Sequence, residues 1–100
     1  MATLTKALFR GAAAVTSTTL YTVPASTTTV VTNIVVTNTA ATSGTFSLLL
    51  DDVSLGTTIT VGAYDSTVID LKQVLATTKT IKGLASATTI NFHISGVEIA

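Results

Sequence analysis

Few side chains in this sequence could do chemistry. His93 is the only histidine, and a histidine beside a serine and an aspartate is the arrangement hydrolases use to activate a nucleophile. The chain has no Gly-x-Ser-x-Gly elbow to present such a serine. His93 also falls on the outward face of an alternating stretch, so it reads as a polar surface residue. Asp51-Asp52 could join Asp65 or Asp70 around a hard cation, which takes about six or more oxygen ligands. Adjacent aspartates after an apolar run are ordinary turn formers, however. Cysteine is absent, which removes disulfides, zinc thiolates and a thiol nucleophile, and no Gly-rich phosphate loop is present. The expectation is therefore a non-enzymatic protein with no catalytic, cofactor-binding or metal-binding residue.

Two surface patterns also bear on function. Thr-x-Thr occurs six times, as in flat Thr arrays on solenoids, but a chain this rich in Thr gives about five by chance, and the spacing is irregular for a coil repeat. The aromatic residues are Phe9, Tyr21, Phe46, Tyr64 and Phe92. A sugar-stacking platform needs exposed rings, whereas Phe46 and Phe92 sit at core positions of alternating runs.

The elements that would position these residues are strands. β-Branched Thr, Val and Ile dominate, and they are stiff at χ1 and suit a pleated surface. Strands are expected at Ala7 to Arg10, Thr18 to Val23, Thr28 to Thr37, Gly44 to Leu50, Thr58 to Val61, Ser66 to Leu71, Thr80 to Leu84 and Thr88 to Ile99. Pro24 follows a strand end because it cannot donate to a ladder. The Thr28 to Thr37 stretch is apolar on both faces, Val30, Thr32, Ile34 and Val36 on one and Val31, Asn33, Val35 and Thr37 on the other, which predicts a central strand covered on both sides. Residues 39–43 then read as the loop of a hairpin into the Gly44 strand. Lys72 to Thr77 reads as one short helical turn. In the last strand Ile90, Phe92 and Ile94 face inward, and Gly96 is expected to mark a bulge that moves the inward positions to Val97 and Ile99. The fold class is all-β: a single antiparallel β-sandwich or small jelly roll of about seven to eight strands.

One hundred residues make one domain. Residues 1–11 read as an N-terminal arm or edge strand and 12–100 as the sandwich. Charged residues are only 10%, five of each sign, against about 25% in ordinary domains. In their place stand 23 Thr and 8 Ser. Zero net charge favours association, and interfaces are poor in Lys and Glu, so the composition is that of an assembly subunit. Without clustered Lys and Arg there is no footprint for nucleic acid. No apolar run is long enough for a membrane span, and the first residues lack the apolar core of a secretory signal, so synthesis in the cytoplasm is expected.

The strings Leu8-Phe9-Arg10-Gly11-Ala12-Ala13, Thr19-Leu20-Tyr21-Thr22-Val23-Pro24, Thr29 to Ala40, Ile69 to Leu75, Thr80-Ile81-Lys82-Gly83 and Ile90 to Ile99 together resemble small β-sandwich virion structural proteins of tailed bacteriophages. Such proteins decorate or cement the capsid or attach to the tail. The resemblance spans nearly the whole chain and carries no catalytic residue. It implies a capsid decoration protein located in the virion, a homotrimer whose partners are itself and the major capsid protein or other virion proteins. The alternative is a tail- or fibre-associated receptor- or glycan-binding module presenting Asp51 to Gly56 or Gly62 to Ser66. Contact is expected through residues 1 to 11, with Lys6, Phe9 and Arg10 as the named interaction residues. Deleting residues 2–8 is expected to spare the fold and abolish attachment.

Overall fold

Alternation of apolar and hydroxyl side chains holds the chain in extended conformation almost throughout. In a computed structural model, which describes residues 3–100, eight strands form: β1 (Thr3–Ala12), β2 (Thr18–Thr22), β3 (Thr28–Asn38), β4 (Gly44–Leu50), β5 (Val53–Val61), β6 (Ser66–Leu75), β7 (Thr80–Ala85) and β8 (Ile90–Ile99). They make two four-stranded antiparallel sheets, ordered β1-β8-β3-β6 and β2-β7-β4-β5. The first strand pairs with the last, the second with the seventh, the third with the sixth and the fourth with the fifth. A ribbon doubled at the β4–β5 turn and rolled into two layers has this order, which is the jelly-roll form of a β-sandwich.

Antiparallel order sorts the connections to two poles. Residues 13–17, 39–43, 62–65 and 86–89 lie at one, which we call the loop pole. Residues 23–27, 51–52 and 76–79 lie at the other, together with Thr3 opposite Ile99. The body between them measures 46 × 21 × 18 Å. At the loop pole the buried Asn38 side chain donates to the carbonyls of Thr42 (2.8 Å), Gly62 (3.3 Å) and Val61 (3.4 Å) and accepts from Ala40 N (3.0 Å), tying two connections together. At the opposite pole Asp51 and Asp52 both adopt left-handed φ, 55° and 60°, the backbone of a two-residue type I′ hairpin turn.

The core fills the space between the sheets. Phe46 of β4 meets Phe92 of β8 edge to face, with ring centroids 6.0 Å apart, a geometry worth about 0.5–1.5 kcal/mol beyond area burial. Ile34, Val36, Leu48, Ile81, Ile90 and Ile94 belong to the same buried cluster as this pair.

Several local expectations change. The 39–43 connection is not a hairpin loop, because β3 and β4 belong to different sheets. Lys72 to Thr77 is not a helical turn: β6 runs on to Leu75, which faces buried Thr29 across the ladder, and paired backbone outweighs local preference here. β3 is central but covered on one face only, with Val30 and Val35 part-exposed outside. Its alternation also slips at a bulge by Thr32, so Thr29 and Val31, then Ile34, Val36 and Asn38, point inward. No slip occurs at Gly96. The phase set by Ile90 continues, so Gly96 and Glu98 face inward and Val97 and Ile99 outward. A Cβ on Gly96 would stand 2.4 Å from the Val30 carbonyl oxygen and 2.9 Å from Leu8 Cδ1. Glycine is there for the close approach of β3 and of the bulged β1.

Candidate functional site

The inward turn of Glu98 assembles a polar cluster inside the sandwich. Glu98 (β8) and Thr29 (β3) are directly opposite in one sheet, and Tyr21 (β2) reaches across from the other. All three are buried. The Tyr21 hydroxyl donates its single proton to Glu98 Oε2. Thr29 Oγ1, 2.9 Å from the phenol oxygen, must therefore be the donor of that second bond. Lys6 (β1), at the rim, places Nζ 3.3 and 3.4 Å from the two carboxylate oxygens.

These contacts fix the charge states. Burial pushes the Tyr21 phenol up to about 12, and the bond to the Glu98 carboxylate adds to the rise. The same bond from Tyr21 holds the Glu98 carboxyl below its ordinary value against the opposing effect of burial, and Lys6 helps. The phenol is thus neutral and the carboxylate ionised near neutrality, and each is already engaged by a partner inside the sandwich. The cluster is a polar clasp between the two sheets.

The residues singled out from sequence are dispersed. Lys6 belongs to the clasp. Phe9 faces inward opposite Ile94 and packs against the core, half-buried. Arg10 is exposed on the outer face of β1, with His93 as its ladder neighbour and Val35 beyond. His93 therefore has neither a serine nor a carboxylate as a ladder neighbour. Residues 1 and 2 lie outside the described residues. From Thr3 to Ala12 the N-terminal segment is the edge strand β1, antiparallel to β8.

Asp51 and Asp52 face lysines, with Lys79 Nζ 3.6 Å from Asp51 Oδ1 and Lys82 Nζ 2.6 Å from Asp52 Oδ1. Asp65 accepts a hydrogen bond from the Ser66 amide at 2.8 Å, at the far pole. Among the described residues no group of three potential metal ligands comes together. A shallow depression of about 200 Å³ lies among Val15, Phe46, Ser47, Thr58 and Leu84. No titratable side chain lines it.

What the surface offers is strand edge and isolated apolar side chains. β1, β6, β2 and β5 are the free edges, and Leu4, Val15, Val53, Tyr64, Val68 and Val74 are each more than half exposed. Tyr64, 75% exposed at a left-handed φ of 53°, is displayed at the loop pole. Tyr21, Thr29 and Glu98 were missed from sequence, although the in-phase alternation from Ile90 already placed Glu98 inward. No known protein family matches the chain, and no curated protein is similar to it.

Proposed function

We propose that this is a non-enzymatic structural protein of a tailed-phage particle, most simply a capsid decoration or cement protein that binds across major capsid subunits. The observation that carries the reading is a jelly roll whose two longest open edges, β1 and β6, run ten residues each, on a surface made of hydroxyls more than charges. Jelly rolls recur in viral shell domains. Ionisable groups and the one depression described above lie apart, which favours contact over catalysis. The mechanism is burial: a protein that binds only the assembled shell stabilises it by mass action, and a standard contact of about 800 Å² per partner is repeated over every equivalent site. Threefold self-association fits the resemblance drawn from the sequence.

The test is copy number in purified particles of the encoding phage, by quantitative mass spectrometry against the major capsid protein. Stoichiometry comparable with the shell subunit is the expected result. Absence from the particle overturns the reading.

Tyr64 favours a second reading, a receptor- or glycan-binding tail module, through the exposed ring at the loop pole. It would show as a handful of copies per particle and as cell binding by the purified chain that Tyr64→Ala removes. The turn at Asp51-Asp52 lies at the opposite pole, so it and the 62–66 loop do not form one binding surface.

A further inference from the structure

β6 is the edge strand of its sheet beyond β3, and an open edge is a row of unpaired amides and carbonyls ready to accept another strand. Its outward face reads Val68, Asp70, Lys72, Val74, and all four are exposed. Val68 is 62% and Val74 67% accessible, high for two valines on one strand face. Asp70 and Lys72 form no ion pair among the described residues, whereas Lys6, Lys79 and Lys82 all do. Across the register slip between β3 and β6, opposite Thr32, β6 keeps Thr67, Ile69, Leu71 and Leu75 on the inner side, while Gln73, in the same phase, is exposed.

We propose that the β6 edge binds the β6 edge of a second copy of this chain, antiparallel and centred on Leu71. In that register Leu71 faces Leu71, Asp70 of each copy faces Lys72 of the other, and Val68 faces Val74. Both unpaired charges find a counter-charge and both exposed valines find each other, twice over, because a two-fold contact repeats every pair. Opposite charges and apolar residues placed directly across a ladder are favourable, and like charges are not.

The pattern also selects the register. Antiparallel neighbours share a face, so a slip of one residue on each strand is the smallest that keeps inner residues opposite inner ones. Centring on Asp70 sets two aspartates against each other, and centring on Lys72 sets two lysines. The other edges lack this complementarity. β1 carries Lys6 and Arg10 without an acid, β2 is five residues long, and β5 is broken by two register shifts and a left-handed Thr58.

The pairing joins two four-stranded sheets into one continuous layer across the dimer. A single edge buries little, below roughly 1,200 Å² in total, so the association is reversible and concentration-dependent. It does not depend on the particle reading. A threefold ring needs a different, head-to-tail patch.

Sedimentation equilibrium over a concentration series tests it, using four full-length chains: wild type, Asp70→Lys, Lys72→Asp and the double exchange. The wild type is expected to dimerise. Each single change sets like charges opposite at both pairs and should weaken the dimer about tenfold or more, and the double exchange should return it to near the wild-type constant. Both positions are exposed, so the folded chain tolerates the changes, which circular dichroism checks. A wild type that stays monomeric up to about millimolar concentration overturns the proposal. So does a dimer or trimer insensitive to the single exchanges, or one that the double exchange fails to restore.

Discussion

Glu98 shows what one inward carboxylate costs and how the cost is offset. A buried carboxylate without partners would be strongly disfavoured, and here two groups, the Tyr21 hydroxyl and the Lys6 ammonium, engage it. Tyr21→Phe keeps the ring packing and removes the donor, which should lower stability by about 1–3 kcal/mol. The pH dependence has a definite sign. Glu98, held below its ordinary 4.5, contributes stability present above that value and lost as acid drives the pH through its lower folded-state value. Tyr21, raised from 10.0 to about 12, contributes stability present below pH 10.0 and lost as the pH climbs towards about 12. Urea unfolding across pH should show both limbs in the wild type, with Tyr21→Phe moving the acid limb upward and shrinking the alkaline one. Superimposable profiles for the two proteins would rule out the clasp.

Gly96 belongs to the same scale. Alanine there must displace the Val30 carbonyl, part of the central ladder, instead of a side chain that could swing aside. Gly96→Ala should cost about 1–3 kcal/mol, read as a lower denaturation midpoint with an unchanged slope.

Strands and turns were the most legible elements. Phe46, Leu48 and Leu50 in β4 and Ile90, Phe92 and Ile94 in β8 are buried as their alternation requires. The slips were hidden. Thr32 looks like any other strand threonine, yet the bulge beside it inverts half of β3, while Gly96, which looks like a bulge, is a close-packing site. Lys72 to Thr77 misled because Lys and Gln favour helix locally and only the ladder with β3 decides otherwise. The turns carry a prediction. Thr78 sits in left-handed backbone at φ 67°, which disfavours a β-branched side chain, and its amide bond to Val23 O at 3.1 Å needs no side chain. Thr78→Asn should therefore raise stability by about 0.5–1 kcal/mol, seen as a higher melting temperature.

For the molecule as a whole, the sheet class could be read from composition, but strand order could not, since three of the four ribbon pairs, β1 with β8, β2 with β7 and β3 with β6, join distant segments. The candidate contact residues suffered for the same reason: only the pairing of β1 with β8 reveals that Lys6 is already engaged and Phe9 packed. It also changes what truncation does. Removing residues 2–8 takes away buried Leu8 and the Lys6 contact, so it should destabilise the fold as well as any attachment. Removing residues 2–5 takes only exposed side chains among those described and should leave the melting temperature within a few degrees, as differential scanning calorimetry would show. A collapse of folding on that shorter deletion would mean the outer end of β1 is structural.

The body's proportions limit how it can sit on anything. At 46 Å long and 18–21 Å across, it would make a tall post if it stood on one pole and a low tile if it lay on a sheet face. Antiparallel pairing through β6 points the two loop poles in opposite directions, so an upright dimer would have one copy inverted, with its loop pole against the support. Only the tile presents both copies alike. A shell coated by such dimers would therefore thicken by about the short dimension, 18–21 Å, rather than the long one, and Tyr64 would mark the two ends of each tile instead of its outer surface.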